Sequence, residues 1–269
     1  AEGNIDFRGD IVIHGNVESG VSIRATGSIT IDGVAEACML EAGKDIILRG
    51  GMLGGNKASV KTKGAITAKF FEFTNILCEG DLQADVLMDC SVICHGQIRL
   101  TGRKGSIIGG KVQAIRGLIA TSLGNDAEKR TEIFVGAGID VYSRLRVMEK
   151  KIETTREELA KIEEGLEKFE ILSKERGVSY TNDPRRTSLL RIKIKDSAML
   201  ASDEEEVRKL RILAESSRGA CVSVIQEIYP GVIINMDELK LALKNMATGV
   251  EFYKLPDKIG TRPCSAGVE

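Results

Sequence analysis

From Gly3 to about Gly124 apolar and polar positions alternate on both sides of a recurring glycine. Aligned on Gly9, Gly27, Gly43, Gly64, Gly80, Gly96 and Gly117, the segment resolves into four mostly apolar columns. Four residues before the glycine stand Ile5, Ile23, Met39, Val60, Ile76, Val92 and Gln113. Two before stand Phe7, Ala25, Glu41, Thr62, Cys78, Cys94 and Ile115. Two after come Ile11, Ile29, Ile66, Leu82, Ile98 and Ile119, with Ile46 one place late. Four after come Ile13, Ile31, Ala68, Ala84, Leu100 and Thr121, with Leu48 again one late. Period-two alternation on each side of a glycine predicts two short strands joined by a tight corner. Recurrence every 16 to 21 residues predicts that these pairs stack as the rungs of a β-solenoid.

Within residues 4–34 the beat is six residues, as in the left-handed hexapeptide helices of acyltransferases. The later spacings of 16 and 21 break that beat and favour an irregular parallel β-helix, whose corners vary in length. Two insertions, Gly50–Gly55 and Gly105–Gly110, carry doubled glycines and predict bulged corners. Thr131–Gly136 adds one more strand.

The period then changes. Leu145, Met148, Ile152, Thr155, Leu159, Ile162, Leu166 and Phe169 follow one another in alternating steps of three and four, a coiled-coil seam. Gly177 supplies a left-handed cap, and Asp183-Pro184 starts a second helix over about 185–218. Its looser stripe is Leu189, Ile192, Met199, Val207, Leu210 and Ala214. Two helices of about 35 residues joined by a short turn form an antiparallel arm of roughly 50 Å. Strand patterns resume at Val222, Val224 and Ile228, at Val232–Ile234 and at Val250–Tyr253. Residues 236–248 fit strand or helix, and the tail from Gly260 is expected to be loose. The division is therefore 1–140 parallel β-helix, 141–219 antiparallel coiled-coil hairpin, and 220–269 closing rungs with a C-terminal tail.

Composition supports a solenoid of aliphatic ladders: 29 glycines, 4% aromatics and no Trp. Lys+Arg 38 against Asp+Glu 39 leaves a net charge of −1, so no global field attracts nucleic acid or acidic lipid. No apolar run reaches the ~20 residues of a membrane span. Six cysteines without a disulfide framework indicate a reducing cytoplasm. Ala1-Glu2-Gly3 opens inside a rung without an initiator Met, which suggests a longer parent chain.

Several stretches, in order, resemble the flagellar assembly protein A family. They are Gly64–Glu72, Gly105–Lys111, Thr131–Gly136, the helical hairpin and Tyr229-Pro230-Gly231-Val232. The resemblance covers Gly3 to about Ile259. It implies a right-handed parallel β-helix with an inserted coiled coil in a cytoplasmic bacterial protein. It offers no catalytic residues to carry over.

Candidate chemistry is sparse. Gly105-x-x-x-x-Gly110-Lys111-Val112 is a near-match to a phosphate-binding loop, but Val112 has no hydroxyl for Mg²⁺ and strands flank both sides. Cys90, Cys94 and His95 lack the second ligand pair of a structural zinc site. Cys78 and Cys94 share an inward column and read as core. His14 at a corner is a lone candidate base for a hexapeptide-type transferase. Asp81, Asp85 and Asp89 read as one acidic edge with no basic residue at matched spacing, unlike the clusters of polysaccharide lyases. Glu41 in an apolar column signals a local register shift or a corner in water, because a buried lone carboxylate is costly.

These readings point to a non-enzymatic structural or interaction scaffold. It has no catalytic, cofactor-binding or metal residues, and its partners are proteins, with a homo-oligomer possible. The rival class is a β-helix enzyme, transferase-like or carbohydrate-active.

Overall fold

A computed structural model describes residues 3–102 and 104–265, except the side chains of residues 139 and 140. The expected rung position of Ala1 and Glu2 lies outside the described residues. The chain divides into two compact units, Ala1–Gly138 with Ser216–Glu269, and Ile139–Glu215.

The first unit is a β-solenoid of about seven turns. Each turn has three sides where two were expected, the third side of the first turn being the single bridge of Val17 to Ala35. On the first face Ile5–Phe7 pairs in parallel with Ser22–Ala25, then Met39–Ala42, Ala58–Thr62, Thr74–Cys78, Ser91–Cys94, Gly110–Ala114, Thr131–Val135 and Val232–Met236. The second face stacks Ile11–Ile13, Ile29–Ile31, Ile46–Leu48, Ile66–Ala68, Leu82–Gln83, Ile98–Leu100, Leu118–Ala120 and Val222–Val224. The third face is a column running Val17, Ala35, Met52, Phe71, Leu87, Ile107, Leu123 and Ile228. It sends one buried side chain inward per turn, so it leaves no alternation to read.

The register corrects two rungs of the sequence alignment. Leu40 and Ala42 point inward, while Met39 and Glu41 face out. Val112, Ala114, Leu118 and Ala120 replace Gln113, Ile115, Ile119 and Thr121 in the four columns. In both rungs the corner place held elsewhere by glycine belongs to Lys44 and Arg116, whose amides donate to Gly27 and Gly96. Glu41 therefore points into solvent, where Arg24 binds it at 2.9 Å, and Ile46 and Leu48 are in register.

The corner between the third and first faces needs a left-handed residue. Gly20, Ala37, Phe73, Asp89 and Gly109 supply it on successive turns, with φ of 84°, 36°, 46°, 51° and 72°, while Gly55 and Asn56 serve the turn between Ala37 and Phe73. At the second-face entrance Asp10, Asp45 and Asp81 each accept the amide of a residue one turn on, Ser28, Ala65 and Gln97, at 2.7 to 2.8 Å.

The solenoid closes with antiparallel strands. Leu239–Ala242 pairs with Val232–Met236, so part of the undecided 236–248 stretch is strand. Ala247–Lys254 pairs with Cys221–Ile228, and Ile259–Pro263 pairs with Ala247–Lys254. The tail from Gly260 is thus ordered as far as Pro263, because its amides complete a sheet edge.

The second unit contains most of α1, Gly138–Arg176, and α2, Pro184–Ser216. Gly177 has φ 62°, and Asp183 Oδ1 caps α2 by accepting the Arg185 amide at 2.8 Å. Low-numbered residues of α1 meet high-numbered residues of α2. Arg211 binds Glu149 at 2.6 Å, Arg156 binds Glu204 at 2.5 Å, and Lys193 binds Glu163 at 2.8 Å. The helices are therefore antiparallel. Ile152 and Thr155 are buried on α1, and Asp203, Val207 and Leu210 on α2. Two members of the expected α2 stripe, Ile192 and Met199, are exposed. Lys193, Leu200 and Asp203 are the more covered residues there, and Lys151 meets Asp203 at 2.7 Å, so ion pairing admits charge to this seam.

Candidate functional site

The inward faces of the solenoid are occupied by the core, so any site must lie on corners, outer faces or the helix pair. Asp81, Asp85 and Asp89 do not form one edge. They occupy the three successive corners of a single turn, because each of its strands is only two to four residues long. Basic residues do accompany two of them: Arg116 pairs with Asp81 and Lys129 with Asp89. Both come from later turns, beyond the reach of local spacing.

His14 Nδ1 lies 2.7 Å from Asp32 Oδ2, and Arg49 approaches the other oxygen at 3.2 Å. This ladder climbs one corner, with the His14 side chain 82% exposed. His95 follows Cys94 into the next corner, its amide donating to the Cys78 carbonyl. Cys94 Sγ donates to the Gly80 carbonyl at 3.2 Å, whereas Cys90 Sγ donates to Met88 at 3.3 Å. The two thiols are thus committed to different carbonyls. Burial pushes the Cys38 and Cys90 thiols up to about 11. Cys78 and Cys94 stack in register, and the hydrogen bond between them lowers the first and raises the second.

The glycine-rich segment is a corner. Ser106–Ile108 is strand on the third face and Gly110–Ala114 on the first, with Gly109 and Gly110 both at positive φ between them. Lys111 Nζ rests 4.6 Å from the centre of the Phe134 ring, and Val112 is buried in the core. Among the described residues no three His, Cys, Asp or Glu side chains converge as metal ligands.

Two features escaped the sequence reading. On the outer side of the closing sheet, Ser223 and Glu251 are buried and hydrogen-bonded, with Arg262 on the carboxylate. Within the helical unit a cleft of about 1140 Å³ runs between α1 and α2. Ile152 and Val207 form its floor, and Glu149, Glu153, Arg208 and Arg211 lie on its rims. Ile212, more than half exposed, sits at its edge. The helix periodicity placed Ile152 and Val207 on a seam, but only the three-dimensional pairing shows which charged residues border them.

A family model for the flagellar assembly protein A β-solenoid domain matches residues 1–259. The chain belongs to that family. Neither the curated proteins nor the solved structures compared with it gave a match. For this member of the flagellar assembly protein A family, the match spans both the solenoid and the helical unit. Among the described residues no helix is long and apolar enough to cross a membrane.

Proposed function

We propose that this chain is a non-enzymatic scaffold that holds protein partners during flagellar or cell-surface assembly. The observation that carries this reading is the cleft between α1 and α2, with its apolar floor and ionic rims. Such a surface suits protein contact, since apolar area drives association and flanking charge selects the partner. The family name supports the setting in flagellar assembly. The short, mutually stacked strands of the solenoid support a rigid mount more readily than a reaction centre. A reducing, cytoplasmic compartment fits the six free cysteines, four of them buried.

The test is an in-frame replacement of residues 141–214 by a Gly/Ser linker in the source bacterium. Loss of flagella with the shortened protein still abundant and folded supports the reading. Normal flagellation and motility would overturn it.

A further inference from the structure

The net charge of −1 hides a local imbalance on α2, away from the cleft. Residues 185–196 carry Arg185, Arg186, Arg191, Lys193 and Lys195 against a single acid, Asp196. Lys193 reaches Glu163 of α1 at 2.8 Å, but among the described residues no carboxylate pairs with the other four bases. Asp196 stands seven residues before the buried Asp203, a helical repeat that puts it on the seam side.

The side of α2 turned away from the seam is apolar over the same stretch. Leu190, Ile194, Ala198 and Ala201 succeed one another at steps of four, four and three. Such steps keep them on one stripe, about 16 Å long at the rise of an α-helix. Ile194 is 71% exposed and both alanines are exposed, so α1 leaves the stripe bare. By the same periodicity Arg191 and Lys195 border one side of it, and Arg186 and Lys193 the other. Asp203, Glu204, Glu205 and Glu206 end the basic stretch on the C-terminal side. An apolar line bordered by charge is the form of a coiled-coil seam.

We propose that residues 186–201 of α2 dock an acidic amphipathic helix of a protein partner, an inference that rests on the scaffold reading above. The stripe follows the helix axis, and its two alanines let another backbone come close, which suits a second helix. Border charges select the partner in such pairs, and here they require Asp or Glu. They also disfavour a second copy, since a two-fold axis through this face would set Arg191 and Lys195 against their own counterparts. An acidic membrane surface would ask for large apolar side chains where Ala198 and Ala201 stand.

The experiment titrates the full chain into a fluorescent heptad peptide, with Leu at positions a and d and Glu at e and g. Binding is followed by anisotropy, with circular dichroism as the folding control. A scrambled peptide of the same composition and a heptad peptide with Lys at e and g serve as comparisons. The Glu heptad peptide is expected to bind at least about tenfold more tightly than either. Ile194→Asp should weaken it at least about tenfold, and the milder Ile194→Ser should weaken it if Ile194→Asp fails to fold. Arg191→Glu combined with Lys195→Glu should reverse the preference, from the Glu to the Lys heptad peptide. Equal binding of the scrambled peptide overturns the proposal, because the patch is then only a positive field. Binding indifferent to Ile194 overturns it as well. So does failure of the Glu heptad peptide to bind, including the case where phosphatidylglycerol vesicles take up the wild type instead. None of these outcomes bears on flagellation by the shortened protein, so the two readings fail separately.

Discussion

Ser223 donates from Oγ to Oε2 of Glu251 at 3.1 Å, on the side of the closing sheet that faces away from the core. The other carboxylate oxygen accepts Arg262 Nε at 2.6 Å, and the Glu251 side chain is only 6% exposed. Arg262 lies on the last strand, Ser223 on the first strand after α2, and Glu251 on the strand between them. One carboxylate therefore ties the three-stranded closure together.

Removing Arg262 would leave that carboxylate without its counter-charge. Arg262→Ala is expected to lower stability, by less than the loss of a fully buried partner would, because the Arg262 side chain is 59% exposed and water can take its place on the carboxylate. The double variant Arg262→Met with Glu251→Met should recover much of the loss. Chemical denaturation of the three proteins checks this, and equal stabilities for single variant and wild type would show that the clasp carries nothing.

The second-face ladder predicts a harsher effect. Leu82 stacks in register between Ile66 and Ile98 and is fully buried. Leu82→Asp puts an unpaired charge into this column and should abolish cooperative folding. A soluble variant with a sharp melting transition would contradict the register.

Ala37 holds φ at 36°, where a Cβ is strained by roughly 1 kcal/mol and glycine is not. Ala37→Gly should therefore raise stability by about 0.5 kcal/mol, net of glycine's greater freedom in the unfolded chain. Thermal melting beside the wild type decides it. A lower midpoint would mean the corner is not strained.

The buried thiols give a pH signature. Cys38 and Cys90 have native values pushed up to about 11 from an ordinary 9.0. An acid whose pKa rises on folding keeps its stabilising effect below the unfolded value and loses it as pH climbs through the folded one. Each thiol should thus cost stability between about pH 9 and pH 11, on the order of 2 kcal/mol in full. Cys38→Ala, whatever its own cavity cost, should lose less stability over that window than wild type does. Parallel pH profiles for the two proteins would refute the assignment.

The ladders were legible because Ile23, Ile29, Ile66, Leu82 and Ile98 alternate with polar neighbours around a glycine. That anchor failed in two rungs. The corner place belongs to Lys44 and Arg116, while the glycines beside them, Gly43 and Gly117, shift the frame by one residue in opposite directions. Backbone hydrogen bonding between rungs defines that place, and it constrains side-chain identity only weakly. The third face stayed hidden for a different reason. Phe71 and Leu87 are each the single inward residue that their turn gives to this face, and one point carries no period. On α2 the exposed Ile192 and Met199 mimicked a seam, whereas Lys193 and Asp203 lie in it through partners on α1. The outer cluster of Ser223, Glu251 and Arg262 depends on antiparallel registers that local pattern does not encode.

The helical unit enters where Thr131–Val135 leaves the first face and Cys221–Ile228 begins the second. Earlier turns cross that corner in a few residues, such as Arg8-Gly9-Asp10. As the chain leaves a ribosome, seven turns can zip up in sequence, each on a finished template. The eighth must wait while both helices are synthesised. Until Val222 arrives, the row ending at Leu118 keeps a bare backbone edge, the kind of surface on which chains mispair. Folding should therefore pause late, and its period of greatest exposure to aggregation falls between the emergence of Val135 and that of Ile228.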